Sequence, residues 1–279
     1  MAYIDAHFHV WDLDRFQYPW PPKEIPALFR NFTIEELEED QKITPVKHAV
    51  FVQVLNNKPE EIKWITELGK KHSVIKGIIG GLDLTSPNLP EILDEMCKNT
   101  LFKGCRHILD FEEETWITCE DVFQGLKQLE DRNLTYDLLL RPHLLKYIPD
   151  LVRRLPKLKF VIDHIAKPYV KDGKLSPWRE EMAAIAEFPN VYVKISGLVN
   201  EGDLENWKKE DFQQYVDHIV NVFGIDRCMF GSDWPVCYQA GCKYEDVYRL
   251  LKDLLPSLSE EDNNKLFREN AKSFYSLDV

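Results

Sequence analysis

Apolar residues in this chain gather into short, nearly unbroken runs, separated by longer stretches where they recur every three or four positions. The runs cover about residues 3–10, 46–54, 74–82, 102–109, 136–141, 159–164 and 191–196. A last one, Arg227-Cys228-Met229-Phe230, stops at Gly231-Ser232-Asp233-Trp234-Pro235. Continuous apolar runs of this length predict strands buried on both faces, as in a parallel sheet. Between them, sets such as Ile62/Ile65/Leu68, Leu89/Ile92/Leu93/Met96, Val122/Phe123/Leu126/Leu129 and Phe212/Tyr215/Val216/Ile219/Phe223 each share one helical face. Met182/Ile185 and residues 144–155 and 244–255 read the same way. Thr33-Ile34-Glu35-Glu36 has the form of a capping box. Asn57 with Pro59, Thr118, Ser176-Pro177 and Ser259 mark further helix starts, the last helix running through Ala271.

Strand and helix alternate throughout, which means a parallel sheet with helical crossovers. Eight such units in 279 residues, with no linker or repeat between them, fit one α/β domain over 1–279, a (β/α)₈ TIM barrel. An open doubly wound sheet is the rival; no GxGxxG follows any strand, which weighs against a dinucleotide site. The two arrangements differ at one place. A barrel closes strand 1 beside strand 8, and the period of two sets Asp5, His7 and His9 on one face of strand 1. Closure would bring that pair of imidazoles next to Asp233.

Active sites of such barrels lie at the carboxyl ends of the strands. The polar residues there are His7 and His9, Gln53, Arg106 and His107, Arg141 and His143, Asp163 and His164, Lys194 and Ser196, and Ser232 and Asp233. Two imidazoles on one face can chelate an ion, and His164 with Asp233 completes an N₃O set suited to one divalent metal. Asp233, held against imidazoles, would keep its charge and act as general base on water. The bland alternative has Asp233 capping the next turn and the histidines packing the barrel floor. His48, His72 and His218 read as structural or surface residues.

Charge narrows the partners. With 35 basic against 47 acidic residues, the formal charge is −12, and no Lys/Arg run offsets it, so nucleic acid is not an expected partner. No apolar run reaches the ~20 residues of a membrane span, and the start has no secretory pattern. Six cysteines without CxxC spacing read as reduced thiols of a cytoplasmic protein. The expected partner is a small molecule; monomer and homodimer both remain open.

The stretch Asp-Ala-His-Phe-His-Val-Trp-Asp from Asp5 to Asp12 resembles the amidohydrolase superfamily, in its "amidohydrolase 2" branch of sugar-lactonase-like proteins. The likeness continues through residues 104–107, 136–142, 161–164 with Lys167-Pro168, 194–197, 230–237, Asn270-Ala271 and Tyr275, and so spans the chain. The resemblance implies a (β/α)₈ barrel that hydrolyses small cyclic esters or related carbonyl compounds. It makes His7, His9, His164 and Asp233 the site residues, with one divalent metal, zinc foremost, or none. Two-metal members of the superfamily carry a lysine on strand 4 and a histidine on strand 5. Here those strands end in Arg106 and Arg141, which argues against a binuclear site.

The expected chemistry is water attack on a lactone carbonyl, with Asp233 as base and His164, together with Arg106 or Arg141, stabilising the oxyanion. Arg106, Arg141 and Lys194 would grip the product carboxylate, with His107, Gln53 and Trp11 also on the substrate. For Arg106, Arg141 and Lys194 the competing role is ion pairing with Asp137 or Asp163 inside the barrel. For Trp11, Tyr18 and Trp20 it is simply to cover the barrel. The competing activities are metal-dependent decarboxylation of a small aromatic or unsaturated acid, and metabolite binding without catalysis.

Overall fold

The structure, a computed structural model, describes residues 2–279. Its eight strands are β1 (Tyr3–Phe8), β2 (Val46–Val52), β3 (Ile75–Gly80), β4 (Phe102–Ile108), β5 (Thr135–Leu139), β6 (Lys159–Ile162), β7 (Val191–Ile195) and β8 (Cys228–Phe230). They form one parallel sheet in the order of the sequence. The sheet curls until β1 reaches β8, where Phe8 bridges Trp234 in parallel. This is the (β/α)₈ barrel the alternation predicts.

Helices α1 (Ile34–Gln41), α2 (Pro59–Gly69), α3 (Leu89–Met96), α4 (Glu120–Asp131), α5 (Ile148–Arg154), α6 (Trp178–Ala186), α7 (Leu198–Glu201), α8 (Lys209–Phe223), α9 (Tyr244–Leu254), α10 (Glu260–Asn264) and α11 (Asn270–Phe274) accompany the strands. The Thr33 capping box and the Ser259 cap are both present. Other boundaries move. Lys58 and Cys119, not Asn57 and Thr118, precede α2 and α4, and neither makes a side-chain cap. Residues 144–155 do not form one helix: Pro142–Tyr147 winds as a tighter 3₁₀ segment before α5, because Pro149 brings no N–H to continue an α ladder. The last helix is interrupted by a π-turn at Lys265–Glu269.

The barrel interior is filled by Ile4, Ala6, Val50, Val52, Ile79, Val161 and Met229, and Phe274, Tyr275 and Leu277 seal its amino-terminal end. The carboxyl end is left for polar groups. All six cysteines are free thiols, and burial pushes those of Cys105 and Cys228 upward. Among the described residues no helix is long and apolar enough to cross a membrane.

One buried carboxyl outside the barrel end ties β2 to its helix. Glu61, on α2 and fully buried, accepts a hydrogen bond from the Val54 amide at 3.3 Å. Burial raises it to about 8, against the lowering effect of the Val54 and Leu55 amides. The folded protein thus holds a proton that the unfolded chain releases near pH 4. The stability this supplies is complete below about pH 4 and is lost as pH rises to about 8. Glu61→Gln, which stays neutral, is expected to remove that dependence. Between about pH 4.5 and 8.5 the wild type should lose on the order of 3–5 kcal/mol relative to the variant. Denaturant midpoints at the two pH values test it, and parallel pH curves would refute it.

Candidate active site

Three strand ends build the site. His7 lies in β1 and His9 just past it; Asp163 and His164 follow β6; Asp233 follows β8. The seam between β1 and β8 fixes the first and last of these. The Asp5 carboxylate accepts from the Ser232 amide (2.9 Å) and hydroxyl (2.5 Å), the His7 amide (3.0 Å) and the Tyr244 hydroxyl (3.0 Å). Beyond it, the Asp233 amide donates to the His7 carbonyl (2.9 Å) and the His9 amide to the Trp234 carbonyl (2.7 Å). Asp233 itself sits at φ 55°, a left-handed backbone that aspartate tolerates better than most residues.

After β6 the chain makes an uncommon turn. His164, Ile165, Ala166 and Lys167 all have positive φ, between 46° and 61°. Left-handed backbone costs roughly 1–2 kcal/mol per non-glycine residue. The turn persists because its surroundings hold it: all but Lys167 are buried, and the Trp178 indole N–H donates to the Ile165 carbonyl at 2.6 Å. Its effect is to turn both His164 and Lys167 into one cavity.

Each histidine has a partner on Nδ1 and presents Nε2 to a common point. His9 Nδ1 donates to the Val52 carbonyl (2.7 Å), which assigns its tautomer. His164 Nδ1 meets the Ser196 hydroxyl (2.9 Å), and His7 Nδ1 lies 3.3 Å from Asp163 Oδ1. The Nε2 atoms of His7 and His9 are 3.1 Å apart. Asp233 Oδ1 is 3.3 Å from His9 Nε2, 3.8 Å from His7 Nε2 and 3.9 Å from His164 Nε2. Two imidazole lone pairs at 3.1 Å repel unless a cation or proton lies between them.

Burial lowers all three histidines, His164 to about 4, in spite of the nearby carboxylates. Burial alone would raise Asp233, but His164, His9 and His7 outweigh it and hold it low. At neutral pH the group is therefore one carboxylate among three neutral imidazoles, the protonation state a divalent ion requires. Ligands about 2.0–2.1 Å from a tetrahedral ion stand about 3.4 Å from one another, close to the separations here. His7, His164 and Asp233 each bring a ligand atom within 4.8 Å of the other two, His9 Nε2 lies against His7 and Asp233, and this donor set fits one metal.

The sequence profile of the amidohydrolase family matches residues 4–277. The chain belongs to the amidohydrolase family. It is 31% identical to an L-fucono-1,5-lactonase of Burkholderia ambifaria, over 85% of this chain and 82% of that one. A crystal structure of an amidohydrolase from Burkholderia multivorans, holding zinc, superposes with a TM-score of 0.93 at 28% identity over the whole of both chains. A 2,6-dihydroxybenzoate decarboxylase, 14% identical with a TM-score of 0.63 over 99% of each chain, shares the fold alone.

Beneath the histidines this amidohydrolase barrel carries a closed ionic layer. Lys194, with no exposed surface, lies 2.5 Å from Asp137 Oδ2 and 2.9 Å from Asp163 Oδ1. Tyr275 donates to Asp137 at 3.0 Å. Arg106 Nη1 reaches Asp163 Oδ2 (3.1 Å) and His7 Nε2 (3.3 Å), and its Nη2 donates to the Gln53 carbonyl (2.5 Å) and side chain (3.2 Å). Burial would raise Asp163, yet Lys194, His7 and Arg106 hold it well below the ordinary carboxylate range.

Above the histidines a cavity of about 510 Å³ opens. His9, Arg106, Arg141, His164 and Asp233 line it; His7 lies just below. Four residues expected on the substrate do not line it. Lys194 is enclosed between two aspartates, the ion-pairing alternative the sequence left open. Trp11 donates its indole N–H to the Arg30 carbonyl (2.6 Å) and packs on Trp20 and Phe32, anchoring the cover. His107 pairs with Glu112 (2.6 Å) and stacks on Trp116 at 4.1 Å. Gln53 is buried between Arg106 and Asn56. Of Trp11, Tyr18 and Trp20, it is Trp20 that reaches the cavity.

The rim is one the sequence reading missed: Asp110, Lys167, Asn200, Glu201 and Gln239. Arg141 Nε lies 3.4 Å from Asp110 and its Nη1 3.9 Å from Glu201, while Lys167 Nζ lies 3.8 Å from Asp110. Burial raises the Glu201 carboxyl, against Lys167 and Arg141. In the sequence their only signal is a charged residue shortly after strands 4, 6 and 7.

Gly197, at φ 63°, backs His164 so closely that a Cβ there would stand 2.6 Å from Nδ1. Gly197→Ala is expected to turn the His164 ring and weaken divalent-ion binding about 10–100-fold, with a stability loss of about 1–2 kcal/mol from the strained backbone. Zinc titration of the chelated protein tests this; wild-type affinity would refute it.

Proposed function

We propose that this amidohydrolase opens a small, uncharged, hydroxylated lactone, most simply a sugar-derived aldonolactone. The observation that carries the reading is Asp233: an ionised, buried carboxylate at the floor of a cavity, ringed by the Nε2 atoms of three neutral imidazoles. The likeness to an L-fucono-1,5-lactonase over most of both chains supports it.

Asp233 holds the attacking water by one hydrogen bond and takes its proton as the new C–O bond forms. Arg106, at the cavity wall with its guanidinium fixed by Asp163 and Gln53, sets a positive charge beside the developing oxyanion without having to reorganise. Asp233 then returns the proton to the ring oxygen as the acyl C–O bond breaks, and the product leaves as a hydroxy acid. His7, His9, His164 and Asp233 would hold a divalent ion, zinc by the chemistry of the set, which supplies Lewis acidity at the carbonyl when bound. The rim favours a neutral substrate, since Arg141 and Lys167 already face Asp110 and Glu201.

Acid release from a panel of aldonolactones, wild type against Asp233→Asn, tests the reading. Loss of the base is expected to slow opening about 10²–10⁴-fold over the spontaneous background. Chelation should lower the wild-type rate and zinc restore it. Equal rates for wild type and variant on every lactone would overturn the reading, and carbon dioxide release from aromatic acids would bring decarboxylation forward.

A further inference from the structure

Two hydrogen-bond acceptors in the cavity wall have no donors. Asn200 and Glu201 end α7, the short helix after β7, and both line the cavity with Asp233, His9 and His164. Asn200 Nδ2 donates to the Val236 carbonyl at 3.1 Å, which fixes the amide and leaves Oδ1 as the free end. That oxygen is buried without a partner. The Glu201 side chain is 17% exposed, and Arg141 Nη1, at 3.9 Å from Oε2, is too far to donate a hydrogen bond. The helix holds both side chains in place: Leu198 and Val199 are buried, and the Glu201 carbonyl accepts from the Lys171 amide at 3.0 Å.

Glu201 keeps some exposed surface for water, whereas Asn200 Oδ1 is buried and waits for a donor pressed against it. A ligand that fills this wall must bring O–H groups, or two desolvated acceptors are left unpaired. A bare hydrocarbon ring brings none. A ring carboxylate would set oxygen against oxygen beside Glu201. Lys167, paired only loosely with Asp110 at 3.8 Å, can donate to the same hydroxyls.

We infer that Asn200 and Glu201 are the specificity-determining residues of this site, an acceptor pair that selects lactones bearing hydroxyl groups over unsubstituted or carboxylated ones. The inference rests on the lactonase reading and adds to it the residues that choose the substrate. Selection by unpaired buried acceptors is strong, because the wrong ligand leaves them unsatisfied.

The test compares hexonolactones with γ-butyrolactone and δ-valerolactone, each as kcat/KM, in wild type, Glu201→Gln and Asn200→Leu. Glu201→Gln keeps the shape and turns one acceptor into a donor. The preference for the hydroxylated ring is expected to fall about 10–100-fold in Glu201→Gln and about tenfold in Asn200→Leu, chiefly through KM. A preference within about twofold of wild type in both variants overturns the inference. If Glu201→Gln fails to fold, Asn200→Leu decides alone. If the wild type opens no lactone, the lactonase reading has failed instead. Calorimetric binding of the same hexonolactones to wild type and variants then decides the acceptor pair, and absent or equal binding sinks it.

Discussion

The hydrogen bonds that pull β1 against β8 are what the rest of this barrel's chemistry depends on. Asp5 takes two donors from Ser232 across that seam and is held from the sides by the His7 amide and the Tyr244 hydroxyl, and the His7 carbonyl and Trp234 carbonyl continue the join on either side of Asp233. Residues more than two hundred positions apart are thereby held within 4 Å of each other. A carboxylate among imidazoles is expensive to bury, so nothing would assemble it spontaneously. The backbone of the seam places it before any ligand arrives.

Charge in the barrel is arranged in levels. At the lower level Lys194 and Arg106 answer Asp137 and Asp163; at the rim Arg141 and Lys167 answer Asp110 and Glu201. Between them stands Asp233 with neutral histidines and no cation of its own, save the more distant Arg106. The overall charge of −12 is therefore not a property of the site. Asp233, a buried anion without a Lys or Arg partner, lies where a divalent ion fits, and buried charges are stable only when paired or coordinated. The lower level also gives His7 its orientation, so a lysine with no access to solvent serves the site through the histidine above it.

Strain is concentrated at the same place. Four successive left-handed residues after β6, and a fifth at Asp233, depart from what an L-residue adopts freely. Such backbone survives where packing over-determines it, and it clusters at functional sites. Here the turn delivers His164 to the floor and Lys167 to the wall of one cavity, which a regular strand ending could not do with residues three apart.

The sequence by itself determined the barrel and the floor of the site. Strands buried on both faces must be continuously apolar, so the runs around Val50, Ile79 and Val161 were legible, as were the helical faces between them. His7, His9, His164 and Asp233 stood out because polar residues interrupt those runs at their carboxyl ends. Helix starts were less legible, since Thr118 and Asn57 look like caps but the tertiary path begins α4 and α2 one residue later. Only the tertiary structure decided which charges face each other. Lys194 reads as a ligand-gripping cation until Asp137, from two strands away, is found against it. Asp110, Lys167, Asn200 and Glu201 lie in loops with no period, where side-chain direction is set by turns such as the one after β6. Periodicity reports which face of an element is buried; it carries no information on what a loop residue meets across the barrel mouth.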